Sequence, residues 1–254
     1  MKPGNRRTQN RKPFRHDDEG PVFLYGLHTV RAALDNPHRL KRRLLVTPNA
    51  RNRLEESGSL GPVPIEETTP RHLDRLLGPD AVHQGVALEV DPVSRFGLSD
   101  LVSPRLVVVL DQVTDPHNVG AILRTACAFG ADAVVTTQRY APRETGVLAK
   151  SASGALDLIA MIEVRNLGDA LEEMKSLGMT VLGFDSEAPE PLRPRGGDVP
   201  LAIVLGAEGK GLRQRTRSLC DEMVRLDMPG AIKSLNVSNA AAIALFAATA
   251  GTTR

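Results

Sequence analysis

The chain has 254 residues, 41% hydrophobic and 24% charged, with a formal net charge of +2. That size suits one large domain or two small ones with an ample core. The charge excludes a protein that coats nucleic acid by bulk electrostatics, and 3% aromatics with no Trp argue against an aromatic platform of the RNA-recognition-motif or OB type.

Residues 1–20 are polar, Arg-rich and without periodicity, and read as a disordered basic arm. The start, MKPGNRRTQNRKPFRH, lacks the apolar centre of a secretory signal, and the acidic DDE that follows counts against a transit peptide. No apolar run is long enough to span a bilayer. Cys127 and Cys220, the two cysteines, make neither a disulfide framework nor a metal-ligand spacing. A reducing, cytoplasmic setting with no metal is expected.

Residues 21–93 read as a small α/β unit. VFLYGLHTVRAAL gives a short strand or turn, then a helix with Val30, Ala33 and Leu34 on one face. KRRLLVT and HQGVALEV read as strands and HLDRLL as a helix. His28 and His83 have no ligand partner at useful spacing and receive no catalytic role. Residues 94–104, rich in Gly, Ser, Pro and Asp, read as a linker.

From residue 105 to 254 strands and helices alternate. RLVVVL is a continuous apolar run, as a strand buried on both faces requires. A helix then opens on Asn118, carries Val119, Ile122, Leu123 and Ala126 at core spacing, and stops at Gly130. AVVTT and LDLIAMIEV are strands; Asn166 caps a helix that ends at Gly178. TVLGF, LAIVL and MVRLDM are further strands, LRQRTRSLC is a charged helix, and NVSNAAAIALFAATA is the final, Ala-rich one. The pattern predicts a mostly parallel, doubly wound sheet.

Polar loops follow three of these strands: DQVTDPHN, GAEGKG and PGAIKSLN. Open parallel sheets bind ligands outside the carboxyl ends of their strands, so a site is expected there. GAEGKG is neither the dinucleotide fingerprint nor a Walker loop, which disfavours a nucleotide-dependent oxidoreductase. Its Glu208 stands among glycines that let a ligand approach the backbone. Ser234, Asn236, Ser238 and Asn239 are more hydroxyls and amides than one helix cap needs. Arg124 sits near a positive helix end, where a cation gains nothing unless an anion comes there. Arg139, Arg143, Lys150, Arg193, Arg195, Lys210, Arg213, Arg215, Arg217 and Lys233 gather around these loops and could neutralise phosphates.

LDQVTDPHNVGAILRTACAFGADAVV, LAIVLGAEGKGL and RLDMPGAIKSLNVSNAAAIALF together resemble, in order and spacing, the three motifs of the SpoU/TrmH family of RNA ribose 2′-O-methyltransferases, in the SPOUT superfamily. The N-terminal part, with YGLHTVRAAL and HQGVALEV, is similar to the ribosomal-protein-like substrate-binding domain of the two-domain branch. That branch is closer to bacterial 23S rRNA guanosine 2′-O-methyltransferases than to tRNA enzymes. The resemblance implies a trefoil-knotted catalytic domain, S-adenosylmethionine as cofactor, an RNA substrate and a homodimer with the active site at the subunit interface. It carries cofactor positions to Gly206, Leu226, Met228 and Leu235, acting mostly through backbone groups. It carries the catalytic polar positions to Asn118, Arg124, Glu208, Ser234 and Asn236. Arg124 would hold a phosphate and stabilise the developing alkoxide, with Asn118 and Glu208 fixing it or the nucleotide. Ser234 and Asn236 would position ribose and cofactor. A tRNA substrate is the alternative; a non-catalytic RNA-binding or assembly factor is disfavoured by the intact motifs.

Overall fold

A computed structural model describes residues 21–58, 60–93, 96–194 and 199–250. The basic arm read over residues 1–20, and Arg195, lie outside the described residues.

The N-terminal part runs β1 (Val22–Tyr25), α1 (Leu27–Asp35), β2 (Lys41–Val46), α2 (Pro48–Glu56), β3 (Ile65–Glu67), α3 (Pro70–Leu77) and β4 (Val86–Val90). Its four-stranded sheet has the order β1-β4-β2-β3, with β4 antiparallel to both neighbours and β2 parallel to β3. Val30, Ala33 and Leu34 of α1 are buried, as their spacing predicts. Two elements escape sequence reading. Helix α2 buries only Ala50 and Leu54, too little for an apolar period, although Thr47 caps it and Pro48 starts it. Strand β3 is three exposed residues with no alternation to detect.

The second part is seven-stranded: β5 (Leu106–Asp111), α4 (Pro116–Ala128), β6 (Ala133–Thr137), α5 (Gly146–Ala152), β7 (Ala160–Val164), α6 (Leu167–Ser176), β8 (Thr180–Phe184), β9 (Glu190–Pro191), β10 (Leu201–Gly206), α7 (Gln214–Leu219), β11 (Glu222–Arg225) and α8 (Val237–Thr249). The strand order is β7-β6-β5-β10-β8-β11-β9, and every pairing is parallel. All six residues of β5 are buried. Its Val107 and Val109 pack into a cluster with Ala170, Leu171 and Met174 of α6, while Val108 and Leu110 pack with α4 and α8 on the other face. A continuous apolar run is what such a two-faced position demands.

Two expectations are corrected. Helix α4 opens not on Asn118 but on Asp115, whose Oδ1 accepts a hydrogen bond from the His117 amide at 3.1 Å, with Pro116 in the first helical position. LDLIAMIEV is not one strand: residues Ala155–Asp157 form a 3₁₀ turn, because Ser153 (φ 51°) and Gly154 (φ 96°) turn the chain, and β7 begins at Ala160. Helix α5, unpredicted, is only seven residues long. From residue 96 the segment read as a linker lies on the sheet edge, with Phe96 bridged to Ile162 and Leu98 8% exposed.

One hydrophobic cluster runs from Leu24 and Val30 through Leu148 and Ala149 into β5 and α8, so the two sheets share a core. Arg39, with a fully buried side chain, locks that junction. It grips Asp157 with two bonds of 2.8 and 3.0 Å, reaches Glu144 at 2.5 Å, and donates to the Asp91 carbonyl at 3.1 Å. A buried ion cluster adds little net stability, but removing one member strands the others. Arg39→Ala should therefore cost about 3–5 kcal/mol by urea denaturation. A loss no larger than a surface substitution's would show that the cluster is solvated.

Cys220 packs against Gly183, where an added Cβ would lie 2.6 Å from its sulfur. Burial pushes its thiol up to about 11. Only the thiolate is nucleophilic, so alkylation of Cys220 in the folded protein should be negligible at pH 8 and should rise as the pH approaches 11. Rapid labelling at pH 8, read by peptide mass spectrometry, would contradict that environment.

Candidate active site

The loops after β5, β10 and β11 leave the same edge of the sheet, and their polar side chains meet. Because Asp115 caps α4, the Asn118 amide is spare. Its Nδ2 donates to Glu208 Oε1 at 3.2 Å, and its Oδ1 accepts from Asn236 Nδ2 at 2.9 Å. Glu208 Oε1 also accepts from the Val237 amide at 3.3 Å. Asn236 caps α8 with its oxygen, which accepts from the Ser238 amide at 2.8 Å and the Ser238 hydroxyl at 2.6 Å. One side chain thus caps a helix and joins two loops.

GAEGKG is a tight reversal closed by Gly211 N–H donating to the Ala207 carbonyl at 2.9 Å. Gly206 is required by the turn itself: an added Cβ would sit 2.2 Å from the backbone carbon of Gly211. The turn's far end is held by Asp111, fully buried, which accepts from the Arg213 amide at 3.0 Å and Arg213 Nε at 2.7 Å. Lys233 Nζ donates to the Met228 carbonyl at 2.7 Å and closes the third loop.

These loops enclose a cavity of about 400 Å³. Gly206, Leu226, Met228 and Leu235 all line it, with Glu208 and Ser234. Asn118 and Asn236 are not among its lining residues; Asn118 is joined to the wall through Glu208, and Asn236 to Asn118. Arg124 is the exception: it is exposed on α4, makes no ion pair among the described residues, and does not line the cavity of its own chain. Sequence reasoning missed Asp111, whose signal was a carboxylate ending an apolar strand. It also missed Phe184 and Asp185, which line the cavity after β8. Asp185 is ion-paired to Arg217.

A parallel α/β sheet with a polar-edged cavity at its carboxyl end, joined to a small mixed sheet, defines a two-part α/β ligand-binding protein. The model of the SpoU rRNA Methylase family matches residues 105–246, and that of RNA 2′-O ribose methyltransferase substrate binding matches residues 23–96. The chain belongs to the SpoU rRNA methylase family. It is 40% identical over 236 residues to the 23S rRNA (guanosine-2′-O-)-methyltransferase RlmB of Pseudomonas putida, covering 89% of this chain and 94% of that one. The RlmB of Nitrosomonas europaea is 39% identical over 237 residues, covering 88% and 89%. In fold it is similar to the SpoU methyltransferase AviRb of Streptomyces viridochromogenes, solved with AdoMet, at a TM-score of 0.76 and 24% identity, covering 91% of this chain and 89% of that one. The A. aeolicus TrmH/SpoU tRNA modifying enzyme aligns over 58% of this chain and 75% of its own, with a TM-score of 0.52 and 26% identity.

Gly206→Ala should lower stability by about 1–3 kcal/mol, as overpacking does, because the obstruction is backbone. Gly230→Ala, whose Cβ would meet nothing within 4 Å, should be neutral in the same thermal melts. Equal melting temperatures for the two variants would contradict the close approach.

Proposed function

We propose that the protein methylates a ribose 2′-hydroxyl in RNA, a guanosine of 23S rRNA, with S-adenosylmethionine as donor. The observation that carries this reading is that all four inferred cofactor positions, Gly206, Leu226, Met228 and Leu235, converge on one cavity beside Glu208 and Ser234. The cavity has the volume of a small-molecule site. The amide groups of Leu226, Met228 and Leu235 make no hydrogen bond among the described residues, which suits a ligand recognised through the backbone.

S-adenosylmethionine, when bound, supplies an activated sulfonium methyl group. The chain's residues must then orient the hydroxyl, which can be worth roughly 7–11 kcal/mol of barrier, and accommodate charge on its oxygen. A guanidinium stays protonated near neutral pH, so Arg124 is assigned to the adjacent phosphate and the developing alkoxide, not to the proton. The proton leaves through that phosphate or water. Ser234, on the cavity wall, positions the ribose, and Glu208, held by Asn118 and by the Val237 amide, keeps the wall in place.

Arg124 lies outside its own chain's cavity, while Ile243 and Phe246 of α8 are exposed apolar residues. Both features support a homodimer in which a second copy covers α8 and brings Arg124 to the other chain's cavity. A knotted C-terminal segment and a cytoplasmic location belong to the same reading, and no described helix is long and apolar enough to cross a membrane. Similarity along 88–89% of the chain to proteins named as 23S rRNA (guanosine-2′-O-)-methyltransferases supports rRNA over tRNA.

Arg124→Ala should reduce methyl transfer by about 10²–10³-fold, the usual loss for one charge-stabilising donor, without altering calorimetric affinity for S-adenosylmethionine. Near-normal activity would overturn its role. Deleting the gene and mapping 2′-O-methylation by resistance to alkaline hydrolysis should remove one 23S rRNA guanosine mark; loss of a tRNA mark alone would overturn the substrate.

A further inference from the structure

Two groups stand out among the basic residues around the site, apart from Lys210 and Lys233, which line the cavity itself. On the α7 side, Arg213 pairs with Asp111, Arg215 with Asp169 and Arg217 with Asp185. On the α4 side, Arg124, Arg139, Arg143 and Lys150 have no carboxylate partner among the described residues. Three of these four stand on the stretch from the β6–α5 loop, residues 138–145, into α5. Strand β6 is the neighbour of β5 in the sheet, so this loop leaves the same carboxyl edge as the Asn118 loop. Arg193 lies beyond β9, at the opposite edge.

Two further features distinguish the loop. Arg139 lies over the ring of Tyr140, its Cζ 5.6 Å from the centroid, with Arg139 exposed and Tyr140 half-buried. A guanidinium within about 6 Å of a ring centroid is in cation–π range, and an exposed guanidinium plane can also stack on a base. The loop is also anchored at both ends. The Tyr140 and Ala141 amides donate to the Thr137 carbonyl at 2.9 and 2.8 Å. Glu144, next to Arg143, accepts from Arg39 at 2.5 Å and from the Val93 amide at 2.8 Å. Beyond it, Lys150 Nζ reaches Gln84 of the small sheet's part at 3.4 Å.

We propose that the β6–α5 loop is the docking surface for the single-stranded RNA that flanks the reacting nucleotide. An unstacked base lies on the Arg139–Tyr140 pair, Arg143 meets a phosphate, and the strand continues past Lys150 onto the small sheet's part. Unpaired bases stack on guanidinium planes, and free cations, unlike those already matched by carboxylates, are available to backbone phosphates. Anchoring at both ends lowers the ordering cost of binding. The charges on α7 already face carboxylates, Arg217 the nearly buried Asp185 and Arg215 the exposed Asp169. This inference rests on the RNA methyltransferase reading.

The test is binding of a 23S rRNA transcript to the full chain across a salt series, beside cofactor calorimetry and melting temperature. Arg139→Ala should weaken binding about 5- to 150-fold, the span measured for losing one base-stacking contact. Arg143→Ala should weaken it and reduce the slope of log affinity against log salt by about 0.7, the value for one single-strand phosphate. Arg143→Lys should restore the slope, whereas Arg139→Lys should not restore affinity. Arg215→Ala should bind as wild type. All variants should keep the wild-type melting temperature and cofactor affinity.

Wild-type binding by both Arg139→Ala and Arg143→Ala, or a larger loss in Arg215→Ala, would overturn the surface. Loss of binding in the loop variants, with no methylation of any RNA by the wild type, would uphold the surface and overturn the enzymatic reading. Absence of wild-type binding to the transcript would overturn both.

Discussion

Three loops from separate strands become one site through a single hydrogen-bonded junction of Asn118, Glu208 and Asn236. Asn118 bridges the other two, at 3.2 Å to Glu208 and 2.9 Å to Asn236. Each loop has its own fastening: Asp115 at the mouth of α4, Asp111 on Arg213 behind the Gly-rich turn, and Lys233 on the Met228 carbonyl. Those fastenings fix each loop's shape, but the junction fixes the loops to one another. Hydrogen bonds in such a network support one another, so the cavity wall is set by the group and not by any single side chain.

The second organising element is the buried Arg39 cluster, which ties the small sheet to Glu144 and Asp157 of the large one. Glu144 ends the β6–α5 loop, so the substrate edge of the larger sheet is shaped in part by the smaller one. A common apolar cluster beneath it makes the two sheets a continuous body at this junction. Function and packing meet here: the groups that order the loop are buried, and the groups offered to RNA are cations without a carboxylate partner among the described residues.

Much of this was legible in the sequence, for reasons that also explain what was not. β5 and β10 announce themselves as unbroken apolar runs because both faces are covered, and the loops that follow stand out by their polar residues. Resemblance to the three motifs then assigned Gly206, Leu226, Met228 and Leu235, and all four line the cavity. Local competition misled the reading of α4, where Asp115 and Pro116 outrank Asn118 as a start signal. α2, α5 and β3 are short and bury few residues, so no periodicity reveals them. Pairings across long stretches of chain, such as Asp111 with Arg213 or Arg39 with Asp157, leave no mark in spacing. The division of the basic residues into spent and free sets is of that kind, and only the fold shows which arginines already have a carboxylate.

The central claim is that the three loops act as one unit through Asn118, Glu208 and Asn236. It is tested most directly by a double-mutant cycle on affinity for S-adenosylmethionine, combining Asn118→Ala with Glu208→Ala. The account predicts that each single substitution weakens binding and that the pair loses less than the sum, with a coupling of at least about 0.5 kcal/mol. Strictly additive losses, or no loss from either substitution, would contradict it.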